Sequence, residues 1–324
     1  MKMAKYVRKE TGMKYLCLAG GVALNCVANG KLLREKIFDD IWIQPASGDA
    51  GGSVGCALFT WYQYLNNQRK ADNKSDFMQG AYLGPEFKKV TIESFFKNNE
   101  CSYKTLTDEE LPNKIADLIA DKKVIGWFQG RMEFGPRALG SRTIIGDARS
   151  SDMQKTMNLK IKFRESFRPF APSIRAENVS DYFEIDRESP YMLMVANVKK
   201  ERQVAMSEEE NSYFGLEKLS VVRSEIPAVT HVDYSARIQS VNEQTNPLFH
   251  QMLTKFNEKY GCPVIVNSSF NVRGEPIVCT PKDAYLCFMR TGMDFLIIGN
   301  YLLDKTEQKP LVGDSDWQSE FELD

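Results

Sequence analysis

Histidine is almost missing from this 324-residue sequence. Only His231 and His250 occur, 19 positions apart. That spacing excludes HxxxH and HExxH metal motifs within the chain. Each histidine is expected to pack or hydrogen-bond locally. The seven cysteines (Cys17, Cys26, Cys56, Cys101, Cys262, Cys279, Cys287) are scattered, odd in number and never spaced as CxxC. This excludes a cysteine zinc site and a disulfide scaffold, and it fits a reducing cytoplasm, the expected location. No stretch approaches the ~18–20 consecutive apolar residues of a membrane span, so no membrane partner is expected. The opening MKMAKYVRKETG lacks the apolar run of a secretion signal. Net charge is also nearly absent, at −1, which gives no overall bias toward nucleic acid. Internal repeats and low-complexity tracts are missing too.

What is present is ordinary globular composition, 43% apolar and 26% charged, over a length suited to two domains. The charge is unevenly placed. Residues 131–175 hold ten Lys/Arg against four acids, +6, which leaves −7 for the remainder. Seven of those ten are arginine, the side chain suited to bidentate binding of phosphate or carboxylate.

The chain begins with strand–loop–helix twice over. YLCLA (15–19) reads as a buried strand, VALNCVANGKLLRE (22–35) as a helix, and 41–44 as a second strand. A helix from about 53 to 65 follows, with Val54, Ala57, Leu58, Trp61 and Leu65 on one apolar face. This is an α/β pattern. The polar stretch 66–76 reads as a linker or exposed turn. Further on, helices are expected over 106–121, 152–159 and 247–260, the last ending at Gly261. Strands are expected over 124–128, 191–198, 227–232, 236–241, 263–267 and finally 295–299. Thr280, Pro281 and Asp283 form a variant capping box for a helix that ends at Gly292.

Five segments carry chemistry. LAGGVALN (18–25) joins strand to helix through Gly20 and Gly21 and offers helix N–H groups to an anion, with Asn25 placed to bond a ribose or base. A tight turn without a ligand explains it equally well. PASGDAGG (45–52) puts Asp49 among glycines, suited to a metal or to a helix cap, and spacing alone favours the cap. GRMEFGPRALGSR (130–142), with the following TIIGDAR, interleaves Arg131, Arg137 and Arg142 with glycines, a backbone shaped around an anion. KIKFRESFRPFAPS (160–173) carries Lys162, Arg164 and Arg168. An extended Lys162-Phe163-Arg164 would place both cations on one side, with Phe163 and Phe167 as core residues. PVIVNSSFNVRGEPIV (263–278) runs a strand into Asn267, Ser268, Ser269 and Asn271, with Arg273 close by. Such a cluster suits a triphosphate or a carbonyl, and also ordinary turn chemistry.

Taken with THVDYSARIQSV (230–241), these stretches span about residues 14–299 in a consistent order. On them the chain resembles the ATP-dependent O-carbamoyltransferases of the NodU/CmcH type. The resemblance implies an α/β (α+β) protein: a partial actin/Hsp70-like α/β unit over 1–70, a linker over 71–80, and a YrdC-like twisted mixed-sheet domain over 81–324. It implies a transferase in which the YrdC-like unit converts carbamoyl phosphate and ATP, with Mg²⁺, into carbamoyl adenylate and pyrophosphate. The other unit passes the carbamoyl group to an acceptor hydroxyl compound, using iron. By motif, Gly20, Gly21 and Asn25 would contact the carbamoyl adenylate, and Asp49 would be a metal ligand, which overturns the cap. Lys162, Arg137 and Arg168 would be catalytic. Arg131, Arg142, Arg164, Arg237, Asn267, Ser269 and Asn271 would bind ATP and carbamoyl phosphate. Members of the family run well beyond 500 residues and carry paired metal histidines in the N-terminal half. The chain is therefore expected to be the C-terminal portion, to hold iron only with the missing N-terminal half, and to be open to homodimer formation. The alternatives are a YrdC-like nucleotide- or RNA-binding module and an inactive fragment. The net charge speaks against nucleic acid.

Overall fold

The computed structural model describes residues 1–72, 76–215, 217–311 and 317–321. Residues 73–75 of the expected linker and the last part of the expected 81–324 unit lie outside it. Among the described residues no helix is long and apolar enough to cross a membrane.

The first module is a βαβ unit. α1 (Lys2–Thr11) leads to β1 (Tyr15–Leu18), α2 (Cys26–Arg34) crosses to β2 (Asp40–Ile43), and α3 (Ala50–Phe59) follows. β1 and β2 pair in parallel, Tyr15 opposite Asp40 and Leu18 opposite Ile43. A helical crossover permits that pairing where a hairpin cannot. On β2, Ile41 and Ile43 turn inward while Asp40 and Trp42 turn out. The inward face packs on Met78, Ala81, Leu139, Tyr191, Met192 and Leu193 from the rest of the chain. Met78 and Ala81 are thus buried at the end of the segment that the sequence suggests is a linker.

Two expectations for this module are corrected. β1 is not buried: Tyr15 is 69% exposed and Cys17 is exposed, because no further strand covers them among the described residues. The helix expected over 53–65 starts at Ala50, ends at Phe59 and continues as a wider turn through Thr60–Tyr64. No residue of α3 is buried, and Trp61 and Leu65 of the apolar face are exposed.

The second module is a mixed sheet clothed by helices. Its strands are β3 (Lys104–Thr105), β4 (Ile125–Phe128), β5 (Arg142–Asp147), β6 (Ala171–Arg175), β9 (Gln239–Val241), β10 (Val264–Ser269), β11 (Phe295–Ile298) and β12 (Tyr301–Asp304). β7 (Val195–Asn197) and β8 (Ser235–Arg237) form a separate ribbon. The eight strands lie in the order β3-β12-β11-β4-β5-β10-β6-β9, parallel at β11–β4 and β6–β9 and antiparallel elsewhere. Every residue of β4 and β5 is buried, as expected of central strands covered on both faces. The helices are α4 (Lys89–Asn98), α5 (Glu110–Ala120), α6 (Met153–Lys160), α7 (Val179–Tyr182), α8 (Glu208–Ser212), α9 (Pro247–Tyr260) and α10 (Pro281–Arg290). α9 has Asn246 as its cap and ends at Gly261, whose φ is +69°. α10 has the full Thr280–Asp283 capping box. The strand expected over 191–198 shrinks to 195–197, and Pro227–Val229 is a 3₁₀ turn rather than a strand. β12 follows the strand expected to be last.

The two modules meet along α2 and β7. Asn29 Nδ2 donates to Ala23 O (2.8 Å) and Leu193 O (3.0 Å), and Arg34 Nη1 donates to Val195 O (3.0 Å). Gly30 is required by this approach, since a Cβ there would stand 2.2 Å from Val195 O. Gly30→Ala is expected to push α2 off the ribbon, at a cost of about 1–3 kcal/mol for overpacking. Thermal melting checks this; an unchanged melting temperature would show that the contact does not hold the modules together.

Candidate functional site

The site is built where β10 leaves the sheet. β10 runs to Ser269, and residues 271–275 turn back. The turn is closed by Val272 N donating to Glu275 Oε2 (2.8 Å) and Asn271 Nδ2 donating to Glu275 O (2.6 Å). Gly274, at φ +78°, supplies the left-handed step. From the other side, α6 ends and its chain delivers Lys162, whose N–H donates to Met157 O at 3.0 Å. Phe163 then adopts φ +47°, so the segment is a bend and not the extended strand that alternation assumes. Phe163 and Phe167 are exposed rather than core residues, and Phe163 leans on Trp317.

The bend drives the Lys162 side chain inward, leaving it 3% exposed. Its Nζ donates to Asn271 O and Oδ1, both at 2.8 Å, to Ser269 Oγ at 3.3 Å, and to Ser269 O. Ser269 Oγ also donates to Asn271 Oδ1 (2.7 Å). Among the described residues Lys162 forms no ion pair. Around it opens a crevice of about 340 Å³ lined by Arg164, Arg168, Ser269, Asn271, Arg273 and Glu275. Burial pushes the Lys162 ammonium down to about 7, with nearby Arg164 adding to the fall and Cys287 and Glu275 opposing it. Arg164, half-buried and faced by Arg168, is lowered to about 10, chiefly by burial. Its Nε donates to Asn158 Oδ1 (2.7 Å), which fixes its direction. Arg168 pairs with Glu165 at 2.9 Å.

A second basic group lies on the seam between modules. Arg237 ends β8, and burial first, then Arg137 and Arg164, lower it to about 10. Its side chain bonds Cys26, the first residue of α2. Arg137 sits in the Gly/Arg loop, which the close approach of Gly135 to Pro45 and Ala46 ties to the first module. The Arg137 Nε is buried with no hydrogen-bond partner among the described residues.

Other sequence candidates lie elsewhere. Arg142 begins β5 inside the core, fully buried. Its Nη atoms donate to Gln129 O, Gly130 O, Ser141 O and Pro85 O, and its guanidinium lies 3.5 Å from the centre of the Phe128 ring. The guanidinium braces the loop through these carbonyls. Asn267 is buried in a network with Thr143, Ser173, Gln239 and Ala138 O, so its amide is already occupied. Arg131 is exposed and donates to Gly84 O (3.2 Å). Asn25 Oδ1 caps α2 by accepting from Ala28 N (3.0 Å), beside open Gly20 and Gly21. Asp49 stands at the start of α3, exposed, with no capping bond. Among the described residues no three His, Cys, Asp or Glu side chains are grouped to hold a metal, so Asp49 is not part of such a group.

Sequence reading missed Glu133 and Glu275. Glu133 is buried and accepts from the N–H groups of Leu139 (2.6 Å), Ser141 (2.7 Å) and Arg142 (3.2 Å), which shapes the Gly/Arg loop from within. The signal was a lone acid among arginines and glycines.

The chain matches the family model "Carbamoyltransferase N-terminus" over residues 1–58 and "Carbamoyltransferase C-terminus" over residues 116–305. It is 57% identical over 326 residues to protein sll1178 of Synechocystis, covering 100% of this chain and 53% of that protein. It is 37% identical over 305 residues to nodulation protein NolO of Bradyrhizobium diazoefficiens, covering 93% and 51%. To the 3'-hydroxymethylcephem-O-carbamoyltransferase of Amycolatopsis lactamdurans it is 29% identical over 292 residues, covering 90% and 49%. The solved structure of full-length HypF in its phosphate- and nucleotide-bound form aligns with a TM-score of 0.38 at 15% identity, over 61% of this chain and 26% of that one, a likeness too slight to carry inference. The chain spans about half the length of the curated relatives it matches. With one family model covering most of the second module and another residues 1–58 of the first, the chain belongs to the carbamoyltransferase family.

Proposed function

We propose that the second module is a YrdC-like, adenylate-forming unit, and that the first is part of an actin/Hsp70-like transfer unit. The observation that carries this reading is a buried ammonium, Lys162, held by neutral oxygens of Ser269 and Asn271 and flanked by Arg164, Arg168 and Arg273. A cationic crevice without a bonded carboxylate on its central lysine suits the polyphosphate of ATP, with its Mg²⁺, and the phosphate of carbamoyl phosphate. Two polyanions must meet there, and transfer at phosphorus and at an acyl phosphate depends on positioning and charge stabilisation more than on a protein nucleophile. In this reading water cleaves carbamoyl phosphate to carbamate and inorganic phosphate, and a carbamate oxygen then attacks the α-phosphorus of ATP, forming the carbamoyl–AMP bond as the α–β bridging bond breaks and pyrophosphate leaves. Arg137 and Arg237 on the seam face the first module, where Gly20, Gly21 and the α2 N-terminus would receive the adenylate for an acceptor hydroxyl. Iron-dependent transfer is not assigned to these residues, because Asp49 is not part of a metal-holding group among the described residues.

The test is exchange of labelled pyrophosphate into ATP by the purified chain. Exchange is expected only when carbamoyl phosphate is present. Folded protein with neither exchange nor calorimetric ATP binding would overturn the assignment, and so would exchange independent of carbamoyl phosphate.

A further inference from the structure

The crevice contains one group that a phosphate site has no evident use for, the carboxylate of Glu275. Its position is fixed rather than incidental. Oε2 accepts from Val272 N at 2.8 Å, its own carbonyl accepts from Asn271 Nδ2 at 2.6 Å, and its side chain bonds the buried Cys287 thiol of α10. Asn271 in turn presents both its carbonyl and Oδ1 to Lys162. We propose that Glu275 is a positioning residue of this crevice, closing the turn that aims Asn271 at Lys162 and setting a carboxylate opposite the Lys162 ammonium. This rests on reading the crevice as an anion site.

The charges around the pair come from three elements: the 162–168 loop, the 271–275 turn and α10. Arg164 faces Lys162 from its own loop, Cys287 faces it from α10, and Glu275 from the turn. Arg290 of α10 faces Glu275. Arg168 and Arg273 line the crevice and share Glu165. Burial holds the Cys287 thiol well above its ordinary range, so it stays neutral near neutral pH. Burial raises the Glu275 carboxyl too, while the Val272 N–H, Cys287, Lys162 and Arg290 pull it back. Where ionised, Glu275 is the anionic member of the group facing Lys162, opposing the burial and the Arg164 charge that push the ammonium down. A carboxylate inside an anion site repels the ligand but keeps its lysine charged. The two effects oppose each other, and pH separates them.

The test compares wild type with Glu275→Gln, whose amide oxygen can still accept from Val272 N. The probe is sulfate, a phosphate mimic whose charge is constant from pH 5 to 9, titrated calorimetrically. In wild type, binding should weaken as pH rises through the Lys162 transition. In Glu275→Gln that midpoint should fall by roughly half a pH unit or more, which makes sulfate binding on the order of threefold weaker at pH 8. At pH 5.5, where Lys162 is charged in both proteins, the variant should bind equally or more tightly, so the curves cross. Glu275→Asp, which keeps the charge, should hold the wild-type midpoint even if Glu275→Gln does not fold. Parallel curves at all pH values, or a midpoint that falls equally in Glu275→Asp, overturn the role of Glu275. Absence of sulfate binding by folded wild type at every pH instead overturns the anion-site reading.

Discussion

Lys162→Met is expected to weaken ATP and carbamoyl phosphate binding by roughly 10- to 150-fold, the ~1.5–3 kcal/mol of a charge-assisted hydrogen bond. Stability should hold or rise. The side chain is 3% exposed and carries a charge that burial pushes from its ordinary 10.5 down to about 7. Between those values the unfolded chain keeps a proton that the folded chain has released. Lys162 therefore makes stability rise with pH across about 7 to 10.5, and the burden of burying its charge is fully present below 7. Methionine removes that burden, so its relative gain should be greatest in mild acid and vanish in alkali. Against this stand the oxygens of Ser269 and Asn271, which lose their donor. Chemical denaturation from pH 6 to 9 with calorimetry at each pH separates the two effects. Arg137→Ala should likewise lose ligand with little change in melting temperature, because its Nε already lacks a partner. A large fall in melting temperature with unchanged binding would mark either residue as structural.

The parts of the fold legible in the sequence are those specified locally. Asn246-Pro247 and Gly261 bracket α9, and Thr280-Pro281 with Asp283 starts α10, because caps and prolines act on the residues beside them. β12 was equally legible and was missed: Gly299-Asn300 is a two-residue turn between Ile298 and its partner Tyr301. The site was legible in composition and not in geometry. Lys162, Ser269 and Asn271 stand out as cations and short polar groups, yet more than a hundred residues separate them, and only the sheet brings them together. Arg142 shows the converse. Beside Arg131 and Arg137 it reads as one of three equivalent cations, but it begins a strand buried on both faces, which turns it into the core. Lys162 and Arg164 do line one crevice, but with Phe163 in the left-handed region the segment is a bend, so strand alternation does not account for it. The failed expectations for β1 and α3 have a different cause. Their apolar patterns are those of buried elements, but among the described residues nothing packs over them.

That uncovered surface leads to the second large effect. Tyr15, Val22 (87% exposed), Val27, Phe59, Trp61 and Tyr64 (77% exposed) all lie exposed within the first module. Several such side chains on one small βαβ unit exceed the scattered apolar exposure normal for a soluble monomer. β1 also has one edge without a partner strand, since among the described residues the first sheet holds β1 and β2 alone. The chain is therefore expected to self-associate as its concentration rises, and sedimentation velocity should show mass increasing across the micromolar range. Trp61→Glu together with Phe59→Lys should return it toward monomer. Both positions are exposed, so these changes should leave the melting temperature and the sulfate crevice of the second module untouched. The same module should hold no stoichiometric iron, because a transition-metal site needs several ligands in defined geometry and Asp49 is part of no such group among the described residues. Adding in trans the N-terminal part of a relative, which this chain does not span, should cover the apolar face and suppress self-association. A monomer at high concentration, or one tightly held iron per chain by elemental analysis, would show that the first module is already complete and that its exposed face has another purpose.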